Sequence, residues 1–241
     1  WDYDPLNFAG HFDMLVQVDD VFKMEGLNAV ITSEEFYINK DNFGRFSMEA
    51  TAPNLKSQLN SFVTLRKDST WMEVKAKYNL ANLGDNSVLR RKIPLPRQKN
   101  YLDINAKFGG FPLSIAEYWL GGGMTETHGV FTADLQIKGL ANQLDATGDI
   151  VARDGGFTLS ALKTHYTFRE GAIKMTPDLF DATGTVIYDK YGNSAVVEGG
   201  ITHQHLRYMG LAARMRTRRF LGIDLAKGDN DLFYGRALGA G

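Results

Sequence analysis

Hydrophobic and polar residues alternate one for one along most of this chain, and the clearest instance is Phe180 to Ile201. Phe180, Ala182, Gly184, Val186 and Tyr188 alternate with Asp181, Thr183, Thr185, Ile187 and Asp189. A period of two marks a strand with one dry face and one wet face. The polar run Asp189-Lys190-Tyr191-Gly192-Asn193 reads as a turn, because Gly192 and Asn193 reach positive φ at little cost. Beyond it, Ala195, Val197, Gly199 and Ile201 share one face, and Ser194, Val196, Glu198, Gly200 and Thr202 share the other. The stretch predicts a hairpin with one apolar face.

The rest of the chain repeats that statement. Phe12, Met14, Val16 and Val18 form the first alternating set, followed by Leu27, Ala29 and Ile31, then Phe36 and Ile38 before a turn at Lys40-Asp41-Asn42. Phe46, Met48 and Ala50 come next, then Val63 and Leu65 ahead of Lys67-Asp68-Ser69. Met72, Val74, Ala76, Tyr78 and Leu80 follow. After a polar stretch, Asp85 to Asn100, the alternation resumes at Leu102, Ile104, Ala106 and Phe108. Later sets are Phe131, Ala133, Leu135 and Ile137, then Leu144, Ala146, Gly148, Ile150 and Ala152. Asp154-Gly155-Gly156 and Arg169-Glu170-Gly171 read as turns, the second between Phe168 and Ile173. Leu211, Ala213 and Met215 alternate with arginines, and Gly228 to Asp231 is the last turn before a strand opening at Leu232.

One segment breaks the period. In Phe111 to Leu120, Pro112 suits a first helical position, Leu113, Ala116 and Leu120 share a helical face, and Gly121-Gly122-Gly123 stops the run. This predicts a short helix capping the apolar face of the sheet. Roughly fifteen strands of about five to nine residues, short turns and one helix make an all-β antiparallel meander without a fixed-length repeat. The chain divides as 1–110, the N-terminal part of the sheet; 111–123, helix and glycine turn; and 124–241, the C-terminal part.

Composition narrows the function. Among 241 residues, 44% are hydrophobic and 23% charged, with net charge −1. That argues for a folded chain and against nucleic acid as a partner. The absence of cysteine removes disulfides, zinc-thiolate sites and cysteine nucleophiles. No run of about 18 apolar residues occurs, so no helix here is expected to span a membrane. Trp1 reads as an arbitrary start and Ala240-Gly241 falls in mid-strand, so the chain is expected to be a piece of a longer one, with any anchor outside it.

A succession of phrases carries a family likeness. Pro112-Leu113, the short helix and the glycine run precede GVFTADLQIKGLANQLDATGDI. The Phe168-Arg169-Glu170-Gly171-Ala172-Ile173-Lys174 phrase, IYDKYGNSAVVEGGITH and GDNDLFYGRALGAG then follow in order. In this the second half of the chain resembles the TamB-type, inner-membrane-anchored subunits of translocation and assembly modules, in the AsmA-like group of bridge-like lipid-transfer proteins. The last phrase resembles the start of that family's C-terminal domain. The resemblance implies a periplasm-spanning protein of a Gram-negative cell envelope, anchored in the inner membrane and paired with an Omp85-family outer-membrane barrel. It implies phospholipid as cargo and a role in outer-membrane protein assembly. The implied fold is a long sheet curled into a U around an apolar groove, a β-taco. The family offers no catalytic residues and no cofactor.

The residues fit that chemistry. A half-apolar sheet needs cover, and only one short helix is on offer. Small residues such as Ala133, Ala146 and Gly148 among large ones leave room on the inner face. The predicted groove lining is Phe131, Leu135, Ile137, Leu144, Ile150, Phe168, Ile173, Val186, Val197, Ile201, Leu211 and Met215. Asp134, Lys138, Asp149, Glu198 and Arg214 are expected on the opposite face. Strands of about seven residues give a sheet roughly 23 Å wide, and fifteen at about 4.8 Å run roughly 70 Å. Each buried methylene contributes about 0.8 kcal/mol, so such a face competes with a bilayer without polar contacts.

Other chemistry is thin. His203-Gln204-His205 lacks a third metal ligand nearby, and Asp229-Asn230-Asp231 lacks the rest of a calcium loop. Arg214, Arg216, Arg218 and Arg219 read as a solvated outer face, with headgroup contact as the sharper reading. No phosphate loop, nucleophile elbow or acid/base pair suggests an enzyme. Two other classes share the alternation: a transmembrane β-barrel, whose strands of about nine to eleven residues exceed those expected here, and a structural or adhesin β-sandwich.

Overall fold

The computed structural model describes residues 7–23, 25–54, 56–82, 95–119, 122–225 and 235–239. The fold is all-β, with one short α-helix and a single-turn 3-10 helix at Leu95–Arg97 among the described residues. The strands are β1 (Phe8–Gly10), β2 (Asp13–Asp20), β3 (Glu25–Ile38), β4 (Asp41–Asn54), β5 (Gln58–Lys67), β6 (Thr70–Asn79) and β7 (Tyr101–Pro112). After helix α1 (Ile115–Trp119) come β8 (Met124–Leu140), β9 (Gln143–Leu159), β10 (Thr164–Met175), β11 (Leu179–Asp181) and β12 (Val186–Tyr188). The last are β13 (Ser194–Gln204), β14 (Arg207–Arg216), β15 (Phe220–Leu225) and β16 (Gly235–Gly239).

Fourteen strands form one sheet, a meander from β3 to β10; β2 pairs with β3, β14 with β13, and β15–β16 make a separate two-stranded sheet. Two compact units divide the chain. The first is Leu6–Gly109 with Ala133–Gly148, and the second is Gly110–Thr132 with Asp149–Gly241.

Several strands are longer than the expected five to nine residues. β3 and β4 have 14 each, β8 and β9 have 17 each. In β9, and likewise in the 12-residue β10, the extra length arises where the sequence suggested turns. Asp154-Gly155-Gly156 does not turn the chain but lies inside β9, with Asp154 at φ 48°. The two glycines answer to packing: a Cβ on Gly155 would fall within the Phe168 ring, and one on Gly156 against His128. Arg169-Glu170-Gly171 lies inside β10. There the exposed pair Arg169 and Glu170 separates the inward Tyr166 and Phe168 from Gly171, Ile173 and Met175, so the pattern skips one residue. β3 does the same at exposed Glu34-Glu35, where its register with β4 shifts.

Such a skip also corrects the hairpin at 180–201. Phe180 pairs with Ile201 and Val186 with Val196, six residues on one arm against five on the other. The additional residue sits in the segment 182–185, where the Asp181 carboxylate accepts the N–H of Thr183 at 2.9 Å and Gly184 takes φ 92°. One extra residue turns every later side chain over. Ile187, not Val186, therefore faces Ala195 inside the unit, and Val186 stands with Val196 on the opposite face.

The predicted helix is shorter than expected. Phe111 and Pro112 end β7, and the helix covers Ile115–Trp119; Leu120 and Gly121 lie outside the described residues. The Glu117 carboxylate accepts the N–H of Thr127 at 2.6 Å and its hydroxyl at 2.5 Å, which ties the helix to β8, and Leu113 is half-buried. Of the polar stretch Asp85 to Asn100, expected as a solvated loop, residues 85–94 lie outside the described residues, as does the turn Gly228 to Asp231, while Leu95–Arg97 form the 3-10 helix.

Candidate apolar binding face

In the first unit the strand registers stack mostly apolar residues strand after strand. Val16, Ala29, Ala50, Ser61, Ala76 and Ile104 face one another across β2 to β7. The next row is Met14, Ile31, Met48, Val63, Val74 and Ala106. Directly paired residues share a face, so these rows form one continuous apolar surface crossing six strands. The opposite face carries Val30, Glu49, Phe62, Lys75 and Asn105 in one row and Thr32, Ser47, Thr64, Glu73 and Lys107 in another.

The surface is graded in cover. At one end Leu65 is fully buried, and Phe36 and Phe43 are nearly so. Phe36 stacks on Phe46 with centroids 4.7 Å apart, and Phe12 meets both rings edge-on. In the middle, Ile31, Met48, Val63, Val74 and Ile104 are half-buried. At β2, Met14 is 68% exposed and Val16 49%. A packed core would seal its large residues; away from the aromatic end, the large residues Ile31, Met48, Val63, Val74 and Ile104 of this face remain partly reachable.

Leu135, Ile137 and Leu144 belong to this unit. Lys107 pairs with Asp134 at 3.0 Å, Lys138 with Asp103 at 3.6 Å, and Gln136 donates to Asn105 at 3.1 Å. These contacts gather Asp134, Gln136 and Lys138 on the polar face with Asn105 and Lys107. Alternation then sets Leu135 and Ile137 on the side of Ile104 and Ala106. Leu144, half-buried, alternates with exposed Gln143 in the same sense as buried Ala146 against exposed Thr147.

The remaining expected residues lie in the second unit. Phe131 sits 5.8 Å from Phe111, centroid to centroid, and Ile150 is half-buried between exposed Asp149 and buried Ala152 along β9. Phe168 and Val197 pack against a buried cluster of Tyr166, Ile187, Ala195 and Phe220. Ile173 is half-buried. Val197 pairs with Met215 and Ile201 with Leu211, while Glu198 pairs with Arg214 on the other face and is hydrogen-bonded by Arg216. Those four apolar residues share a face, and β14 is exposed throughout, with Leu211 at 70%. Val186 does not join them, for the register reason given above.

Sequence reasoning missed two things. It did not single out the rows from Met14 to Ala106, although their alternation is as regular as that of the second half. It assigned no role to Phe220 and Leu221, which are among the most deeply buried side chains. Their signal is short: two apolar residues after Arg218-Arg219, with no run long enough to read a period.

Polar features supply structure. Burial opposes the charge on Asp189, yet four bonds at 2.9 Å, from the Asn193 amide and the N–H groups of Leu221, Asn193 and Tyr191, outweigh it. They hold its carboxyl below the usual carboxylate range. His203 is buried against the Phe180 ring at 4.4 Å, whereas His205 is exposed in the turn at φ 51°. The two histidines of the His203-Gln204-His205 motif therefore do not converge, and no three-residue metal cluster forms among the described residues. No helix of the described residues is long and apolar enough to cross a membrane. Set against models of known families, curated proteins and solved structures, the chain matches none.

Proposed function

We propose that this chain is a segment of a TamB-type bridge protein that carries phospholipid between the inner and outer membranes along an apolar β-groove. The observation that carries this reading is the surface of Ile31, Met48, Val63, Val74 and Ile104, apolar across consecutive strands and only half-buried. Acyl tails laid on it exchange water for apolar contact at about 0.8 kcal/mol per methylene, while headgroups stay in solvent. The mechanism is solvation: the protein lowers the cost of moving tails through water, performs no bond chemistry, and takes direction from its partners. Those partners are an Omp85-family barrel in the outer membrane and an inner-membrane anchor outside this segment, which sets the protein in the periplasm and links it to outer-membrane protein assembly.

Benzoylphenylalanine placed at Val63, and separately at Thr64 on the polar face, tests the reading in the full-length protein within cell envelopes. Photolysis is expected to yield phospholipid adducts at Val63 and few at Thr64. Equal labelling, or none at Val63, overturns the proposal. A structural sandwich is the second reading, favoured by the sealed Tyr166–Phe220 cluster of the second unit; it expects no lipid at either position. The barrel reading loses the argument from strand length, since β5 to β9 run 10 to 17 residues.

A further inference from the structure

Every residue of β14 is exposed, and among the described residues the strand pairs with β13 alone, which makes it an edge of the sheet. Positive charge collects along this edge. From His205 to Arg219 the chain holds five arginines, Arg207, Arg214, Arg216, Arg218 and Arg219, and no Asp or Glu, although its net charge is −1. Among the described residues one of the five is ion-paired, Arg216 with Glu198. Exposed Arg218 and Arg219 carry the run past the end of the strand. Large apolar side chains are exposed with them: Tyr208 at 83%, Leu211, Met209 and Met215. The register sets Leu211 and Met215 on the side of Ile201 and Val197, and Arg214 and Arg216 on the side of Glu198 and Val196. Arginines and apolar side chains thus flank the edge from opposite sides. Charge alone guards an edge strand against stray pairing, and four large apolar side chains beside it undo that protection.

We propose that β14 and the Arg218-Arg219 link form a docking edge for the surface of an anionic bilayer. The charge excess selects the occupant. Guanidinium groups bind phosphate oxygens through paired N–H bonds, and basic residues concentrate at anionic lipid surfaces. With the strand edge-on to the bilayer, Tyr208, Leu211 and Met215 enter the boundary between headgroups and tails. The arginine stems lie along that boundary and bend their guanidinium groups to the phosphates. The inference goes beyond the transport reading: it concerns where the sheet meets a membrane and needs no tail to travel along it.

Dansylalanine at Leu211 reports the contact in the full-length protein mixed with lipid vesicles. Phosphatidylglycerol-rich vesicles are expected to shift its emission to the blue, and neutral phosphatidylcholine vesicles to leave it in place. Salt at about 0.5 M is expected to reverse the shift, because it screens exposed charges. Arg214→Gln, Arg218→Gln and Arg219→Gln together should raise the lipid concentration for half-maximal shift about tenfold or more, and the three matching lysine substitutions should hold it within about threefold of wild type. All three sites are exposed, so the glutamine variant should keep the wild-type Tm. The salt and lipid-composition comparisons use one polypeptide, so a folding defect cannot mimic them. A shift as large with neutral vesicles, a shift that salt leaves in place, or no shift at all overturns the proposal. So does benzoylphenylalanine at Leu211 that labels a protein and no phospholipid in cell envelopes, the result an acidic protein partner would give.

Discussion

At the scale of single residues, Asp189 shows how a polar group steadies an apolar neighbourhood. Its side chain closes the turn that follows β12 through Tyr191 and Asn193, and the same carboxylate receives Leu221 from β15. The sequence exposed the turn, because Gly192 and Asn193 are turn formers. It hid the bond to Leu221, because nothing in residues 189–193 points to a strand about thirty residues on. Asp189→Asn puts an amide among N–H donors and is expected to cost about 1–3 kcal/mol, read as a lower Tm at neutral pH. The folded carboxyl sits below its unfolded value, so its contribution is present above the ordinary carboxylate range and lost as pH falls through the folded value. The gap between wild type and Asp189→Asn should therefore shrink below about pH 4. A gap that stays constant down the acid limb counts against the carboxylate as its source.

At the scale of elements, alternation located strands well and faces less well. A period of two holds only between bulges, and these strands carry skips at Glu34-Glu35, Arg169-Glu170 and the segment 182–185. The sequence shows each as two polar residues in a row or as a Thr-Gly pair, which also resembles a turn; that ambiguity split β10, as Asp154-Gly155-Gly156 split β9, and the skip at 182–185 put Val186 on the wrong side. The register makes a paired test. Ile187→Asp buries a charge beside Tyr166 and Phe220 and is expected to cost about 3–5 kcal/mol. Val186→Asp, on the face of Val196 and Arg216, is expected to cost about 1 kcal/mol. Denaturant midpoints of the two variants decide it, and the reverse ranking would restore the unbulged hairpin.

At the scale of the molecule, what matters is whether the apolar rows of the first unit are a surface or a core. Their existence is legible in residues 12–108; their half-burial is not, since a period of two says which side is dry and nothing about what covers it. Leu135→Arg tests the point. Leu135 is half-buried, with exposed Asp134 and Gln136 on either side. If the face is an open groove, the long side chain bends toward water and the fold survives. A lipid tail would still meet a cation whose desolvation costs several kcal/mol, so phospholipid transfer between vesicles should fall more than tenfold. Gln136→Arg adds the same charge one residue away, on the face where Gln136 meets Asn105, and should leave transfer and folded yield unchanged. A packed core predicts a different pair of results: Leu135→Arg then unfolds the unit and becomes protease-sensitive, as an unpaired buried charge does. Full transfer by a folded Leu135→Arg protein would mean that tails do not travel over this face at all.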